Sequence, residues 1–440
     1  MRYQNECYNK LLGFVEKHTD NWQELLKQKP YSLKAIKQCP WNSNWYMLVY
    51  NLFESELINP IVKACRGSVI DISDPKDVKL ICAPYLKFCN LGEFPDEDAK
   101  IDWPSTKVLE KIDGILIKAC KHNGKFHWFT NGSFELNAPL MESSNVYVEK
   151  ETDDCETFCD LLVYALNKTG NLNIEISEEG SRLLTSGGWN DLFPEGCTLC
   201  MELVSPKNKI ICDYPESKLF WHGYRNTKMN ELQVSLVYDL ISKYCEKNHI
   251  EFNIDLPQEF SLNEITPQAV KLITDSFDGS EQEGVVVCDK NWHRAKIKSD
   301  SYLQLKFSRD VDNISDKNIF HYILTDEIDD MITDGNRYRV DKIKEKVDDF
   351  LKQYSFFKSY VEDVYENECE ENRAFFAKRC SEECGLSKVR HIAFKIIDGS
   401  SAEQFIKRAY GALGNFKKFE TDLFNLLYAN NLWMTKDVQL

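Results

Sequence analysis

Lys111 opens the stretch KIDGILIK, two residues ahead of an Asp113-Gly114 pair and an apolar, strand-like run. A lysine beside a carboxylate and a glycine admits two readings. One is a surface turn feeding a strand. The other is an amine held in a pocket to attack a phosphate. The second reading makes demands. An attacking amine must be neutral, and nearby positive charge favours the neutral form. The same cations stabilise charge that develops on a phosphate and its leaving group. A nucleophilic Lys111 therefore predicts other Lys or Arg residues arriving from distant strands. It also predicts carboxylates to hold a hydrated Mg²⁺.

Both demands have candidates. In EGVVVCDKNWHRAKIKSDSY (283–302), Glu283 begins a strand, Asp289 to Asn291 make a hairpin-like turn, and the returning strand carries Lys296 and Lys298. A period of two puts both lysines on one face. Such a pair repels itself unless an anion is present. Glu202, in CMELVSPKNKIICDY, stands among apolar neighbours. A carboxylate there calls for a partner, and a ribose hydroxyl or a metal-bound water would serve.

Taken in chain order, seven segments resemble the successive motifs of the RNA ligase 1 family. They are ACRGSVID (64–71), YLKFCNLGE (85–93), KIDGILIK (111–118), TNGSF (130–134), MELVSPKNKI (201–210), EGVVV (283–287) and KIKSDSY (296–302). Lys111-Ile112-Asp113-Gly114 resembles the KxDG nucleotidyl-acceptor motif of DNA ligases, RNA ligases and mRNA capping enzymes. The ACRG, KFxNLxE and KIKSDxY forms are nearer to the RNA ligase 1 family, the ATP-dependent, phage-type tRNA-repair ligases. The resemblance covers about 50–310, with a looser match beyond.

That resemblance implies an α+β chain. Its nucleotidyltransferase domain (ATP-grasp-like, with mixed and antiparallel sheets and helices) would span 1–310. An all-helical C-terminal domain, 311–440, would carry RNA specificity. Lys111 would accept AMP, and Arg66 and Lys87 would contact the β- and γ-phosphates of ATP. Glu202 would serve the ribose or the metal's water shell, and Glu283 the metal. Lys296 and Lys298 would hold the α-phosphate. Asp113, Gly114 and Tyr302 complete the nucleotide site, with Tyr50 as an aromatic beside it. Asp329 and Asp330, in LTDEIDDMI, resemble an acidic metal-binding pair of the family, although a solvated helix face explains them equally well. The implied cofactors are ATP and Mg²⁺, with Mn²⁺ as a substitute. The implied partner is RNA with 5′-phosphate and 3′-hydroxyl ends, a broken tRNA by family analogy. A separate kinase/phosphatase would prepare those ends, because no GxxxxGK[ST] P-loop is present. There are two departures. Asn131 stands in TNGSF where the family often has a lysine. The acidic piece VEKETDDCETFCDLLVYALNK (148–168) looks like an insertion within 140–195.

Composition narrows the alternatives. A net charge of −16 argues against broad, nonspecific nucleic-acid coating. It leaves room for a local basic groove, for which 290–309 and 406–419 are candidates, each also readable as a solvated face. The sixteen cysteines are scattered and read as reduced core residues of an intracellular chain. Cys197 and Cys200 lack a second CxxC to complete a zinc set. Cys369, Cys380, Cys384 and His391 form the remaining metal candidate, without the usual hairpin spacing. No signal-peptide h-region and no bilayer-spanning run are present, so the expectation is an intracellular protein (in the host cell if viral) with no membrane partner. Helical periodicity marks 5–28, about 155–168, about 229–247 and the chain from about 317. Two rival functions remain: a capping-type guanylyltransferase, distinguished by GTP, and a non-catalytic RNA-binding protein on the same fold.

Overall fold

Short apolar runs, cut by glycine, proline and asparagine, become strands of three sheets. The computed structural model describes residues 2–51, 54–140, 152, 154–226, 230–307, 319, 322–323, 337–369, 371–382, 390, 393–394 and 396–398. The chain divides into two compact units, Met1–Ser308 and Arg309–Leu440.

In the first unit, β1 (Ala35–Cys39), β2 (Asn42–Val49), β3 (Arg66–Asp71) and β4 (Lys79–Cys82) form an antiparallel sheet in that order. Helix α1 (Arg2–Lys17) packs against it. Tyr8, Leu11 and Val15 recur at intervals of three and four, so they share one helix face, and they are buried with Leu48 and Ile70 of the sheet.

The two further sheets carry the site. One contains β5 (Cys89–Asn90), β6 (Lys107–Lys111), β14 (Glu259–Phe260), β15 (Gly284–Cys288) and β16 (Arg294–Lys298), ordered β14-β6-β15-β16-β5. Only the β16–β5 pairing in it is parallel. The other contains β7 (Ile115–His122), β8 (Lys125–Thr130), β9 (Asn173–Ile176), β10 (Leu183–Ser186), β11 (Thr198–Val204), β12 (Lys218–Arg225) and β13 (Glu231–Leu232). Its order is β13-β12-β11-β7-β8-β10-β9. The architecture is thus α+β with mixed and antiparallel sheets.

Alternation decides which side chains each sheet buries. In the five-stranded sheet, Val108, Val285, Val287, Ala295 and Ile297 form a core with Val270 of a helix at Pro267–Asp275. The intervening positions, Leu109 and Lys111, Val286, and Lys296 and Lys298, therefore share the opposite face. In the seven-stranded sheet, Ile117, Ala119, Leu199, Met201 and Leu203 enter the main core. Leu116, Lys118, Cys200 and Glu202 alternate with them. Cys197 and Cys200 are both buried free thiols.

The 140–195 segment reads as an insertion in the sequence, yet its described part is built into this core. Thr157 and Asp160 form a capping box that starts a helix at Phe158–Asn167. That helix buries Leu161, Leu162, Ala165 and Leu166 in the core cluster shared by β7, β11 and β12, and lies against β12. The apolar positions at helical spacing decide the packing. Leu162→Ala should therefore lower unfolding free energy by about 2–5 kcal/mol, read from a denaturant midpoint. A surface appendage would lose almost nothing.

Among the described residues, the second unit is helical. One helix spans Arg337–Asp363, continues as a π-helical turn at Val364–Glu368, and is followed by another at Arg373–Glu382. Asp329, Asp330, Cys384, His391 and the basic 406–419 segment lie outside the described residues. Among those that are described, no cluster of three or more His, Cys, Asp or Glu is placed to hold a metal ion. No described helix is long and apolar enough to cross a membrane.

Candidate active site

Strand register gathers the first cluster. Gly284 stands opposite Lys111 of β6 on one side and opposite Lys298 of β16 on the other. Glu283, just before β15, therefore lies between two lysines that are far apart in sequence. Its Oε2 is 2.6 Å from Lys111 Nζ and its Oε1 is 2.6 Å from Lys298 Nζ. Exposure differs across the three. The Glu283 side chain is 2% exposed, Lys298 7% and Lys111 23%, so the amine at 111 is the open member. Lys296 lies two positions before Lys298 on the same strand, and its carbonyl accepts from the Leu91 amide at 3.0 Å.

Asp113 staples the loop after Lys111. Its Oδ1 accepts from the Tyr302 hydroxyl at 2.8 Å. Its Oδ2 accepts from the amides of Ile211 at 2.9 Å and Cys212 at 2.8 Å. The Asp113 amide in turn donates to Tyr214 Oη at 3.0 Å. Tyr302 presents its ring to Lys298 Nζ at 5.3 Å, which ties the motif's last tyrosine to its last lysine. Asp113 and Tyr302 thus act here as anchors of the loop and of β16.

Gly114 is explained by close approach. A Cβ there would stand 2.5 Å from the Leu203 carbonyl oxygen and 2.9 Å from Glu202 Cγ. β7 and β11 can meet beside Lys111 only because this position has no side chain. Gly114→Ala should cost about 1–3 kcal/mol of stability. It should also weaken whatever the Lys111 loop binds, measured by denaturation beside a ligand-binding assay.

Glu202 is the partly buried carboxylate of the seven-stranded sheet. Its Oε2 lies 3.2 Å from His222 Nε2, and His222 Nδ1 lies 3.0 Å from Tyr85 Oη. The Tyr85 and His222 rings stack at 5.6 Å. This aromatic backing answers the question of what holds a carboxylate among apolar neighbours.

The remaining candidates form a second cluster on the first sheet and the segment that leaves it. Lys87 Nζ lies 5.6 Å from the Tyr50 ring, and the Arg66 guanidinium lies 5.2 Å from the Phe88 ring. Arg66 Nη1 and Asn131 Oδ1 are buried without a hydrogen-bond partner. The 85–93 segment then runs into β5, which pairs with β16 beside Lys296. One chain segment therefore links Lys87 to the strand of Lys296 and Lys298.

The arrangement is a cationic site in which one buried carboxylate, Glu283, lies between two lysines. A family model described as RNA ligase (RNA_lig_T4_1) matches residues 64–311, which include both clusters apart from Tyr50. The chain belongs to this RNA ligase family. A relative described as a bifunctional polynucleotide kinase/RNA ligase, from Autographa californica nuclear polyhedrosis virus, is 27% identical over 270 residues. That match covers 59% of this RNA ligase family member and 33% of the viral protein, so the chain spans about a third of that relative's length. Among solved structures, an archaeal ATP-dependent RNA ligase aligns at 14% identity with a TM-score of 0.34, covering 71% of this chain and 65% of that one. A Naegleria gruberi RNA ligase mutant aligns at 12% identity with a TM-score of 0.31, covering 51% and 58%.

Three site neighbours of this RNA ligase family chain escape a motif reading. Tyr214 and His222 lie outside the seven motifs, in segments that read simply as strand and turn. Lys118 is the last residue of KIDGILIK, where period two marks its face but nothing marks its reach.

Proposed function

We propose that this chain is an ATP-dependent RNA ligase that works through a covalent lysyl-AMP at Lys111. The observation that carries the reading is the Lys111–Glu283–Lys298 bridge inside the family match. In the first step the neutral Lys111 amine attacks the α-phosphorus of ATP. An N–P bond forms, the α–β P–O bond breaks, and pyrophosphate leaves. AMP then passes to an RNA 5′-phosphate as a 5′–5′ anhydride, freeing Lys111. Finally an RNA 3′-hydroxyl attacks that 5′-phosphate and AMP departs.

Each residue has a role in this scheme. Glu283 orients the Lys111 amine and fixes Lys298 beside it. Lys298 and Lys296 stabilise charge on the α-phosphate. Arg66 and Lys87 hold the outer phosphates, with Tyr50 packed beside Lys87. Glu202, Asp113, Gly114 and Tyr302 shape the nucleoside side of the site. The orphaned donor Arg66 Nη1 fits a polyphosphate ligand, whose oxygens accept. Glu202 and Glu283 would hold a divalent cation, magnesium or manganese, through its water shell. Such an ion needs only one or two protein carboxylates beside substrate phosphates, and when bound it neutralises phosphate charge. Asp329 and Asp330 are further candidates for that ion.

The substrate is RNA with 5′-phosphate and 3′-hydroxyl ends, such as a broken tRNA, with the helical 311–440 domain choosing among RNAs. A separate kinase/phosphatase activity prepares the ends. The test is intact mass after incubation with ATP and a divalent metal. A gain of one AMP is expected. A GMP adduct formed from GTP instead would favour the capping-type reading. No adduct from either nucleotide would sink the mechanism and favour RNA binding without catalysis.

A further inference from the structure

Lys118 is a fully buried lysine that the scheme above does not use. An ammonium has three hydrogens to donate. Its one recorded acceptor is the carbonyl oxygen of Gly67, the residue after Arg66. Neither Lys118 nor Arg66 has a carboxylate ion-pair partner among the described residues. A buried ammonium beside a half-buried guanidinium, with no carboxylate between them, is costly to keep unless a ligand brings an anion. Burial pulls the Lys118 pKa down to about 8; the neighbouring Cys82 and Cys200 thiols oppose that pull and the Arg66 charge adds to it. A bound anion would reverse that pull.

Gly67 makes the arrangement possible. Its φ is +72°, a region that suits glycine, and a Cβ there would fall on the Lys118 amine and the Asn131 carbonyl. Lys118 pairs with Phe129 across β7 and β8, and Asn131 follows two residues later. Lys118 and Asn131 thus reach the same glycine from adjacent strands. We propose that Lys118 supplies the cation absent at position 131 and, with Arg66, binds the outer phosphates of ATP. This assignment rests on the proposed ligase reading and extends it to a residue to which the resemblance gives no role.

The test compares ATP and AMP binding by calorimetry, since AMP lacks the outer phosphates. Lys118→Met should weaken ATP binding about tenfold and leave AMP binding unchanged. Lys118→Gln can still donate to the Gly67 carbonyl but has no charge. It should show the same selective loss, separating charge from a structural hydrogen bond. Adding Asn131→Lys to either variant should recover ATP binding by returning the ammonium on the neighbouring strand. Unchanged ATP binding overturns the assignment. Equal loss of ATP and AMP binding also overturns it, as does an ATP loss that Asn131→Lys fails to recover. The unmodified protein is the control for the underlying reading. No AMP adduct on it removes the ligase scheme and this assignment together, whereas an adduct with normal ATP binding by the Lys118 variants removes this assignment alone.

Discussion

Lys111→Ala should gain no AMP when incubated with ATP and a divalent metal, whereas the unmodified protein should gain one. The expected loss is complete, because the nucleophile itself is gone and no nearby group replaces it by geometry. Lys298 also holds Glu283, and its 7% exposure contrasts with 23% for Lys111. Lys111→Arg should fail equally. A guanidinium keeps its proton at any working pH and cannot become the neutral attacker. Neither change should unfold the protein, since Glu283 retains Lys298 at 2.6 Å. Intact mass reads the adduct and a thermal melt reads the fold. An adduct of undiminished yield on the alanine variant would move the chemistry away from Lys111 altogether.

Glu283→Gln is the second large effect. Glutamine keeps the shape of the side chain and removes the charge that two ammonium groups share. The two lysines then face each other across a neutral amide, and the geometry of the attacking amine is no longer fixed. Adduct formation should fall by about 10²–10³-fold, a loss comparable to removing a preorganised electrostatic partner in other active sites. Stability should fall too, by about 3–5 kcal/mol, because the partner of a buried charge has been taken away. The two effects separate under saturating ATP well below the melting transition, where a stability defect alone leaves the rate intact. A full rate under those conditions would assign Glu283 to structure.

The same bridge shows what a sequence can and cannot disclose. Period two alone places Lys296 and Lys298 on one face, and the apolar run after Glu283 marks a strand. Motif order brings Lys111 and Glu283 into one frame. The bridge itself depends on Gly284 standing opposite both Lys111 and Lys298, and register between strands so distant in the chain leaves no local trace. Asp113 illustrates a second limit. Its motif position suggests a nucleotide contact, yet its oxygens are taken by Tyr302 and by two backbone amides. Backbone donors have no sequence signature. Lys118 illustrates a third, because its significance depends on space opened by a glycine on another sheet. The helix at Phe158–Asn167 was legible in the helical spacing of its leucines, and only its place in the core was not.

The Asp113 staple joins chain positions 98, 99 and 189 residues away. A growing polypeptide that has not yet produced Tyr302 cannot close it, however well its earlier strands have paired. Contacts of such long range form slowly, because a large loop must be ordered before they reward it. The loop that presents Lys111 is therefore among the last parts of its unit to mature during synthesis. On the proposed mechanism, an incomplete or misfolded copy would lack a competent amine and would trap no nucleotide. Self-labelling with AMP would thus count the finished molecules in a preparation, giving an active-site titre that ordinary protein concentration does not.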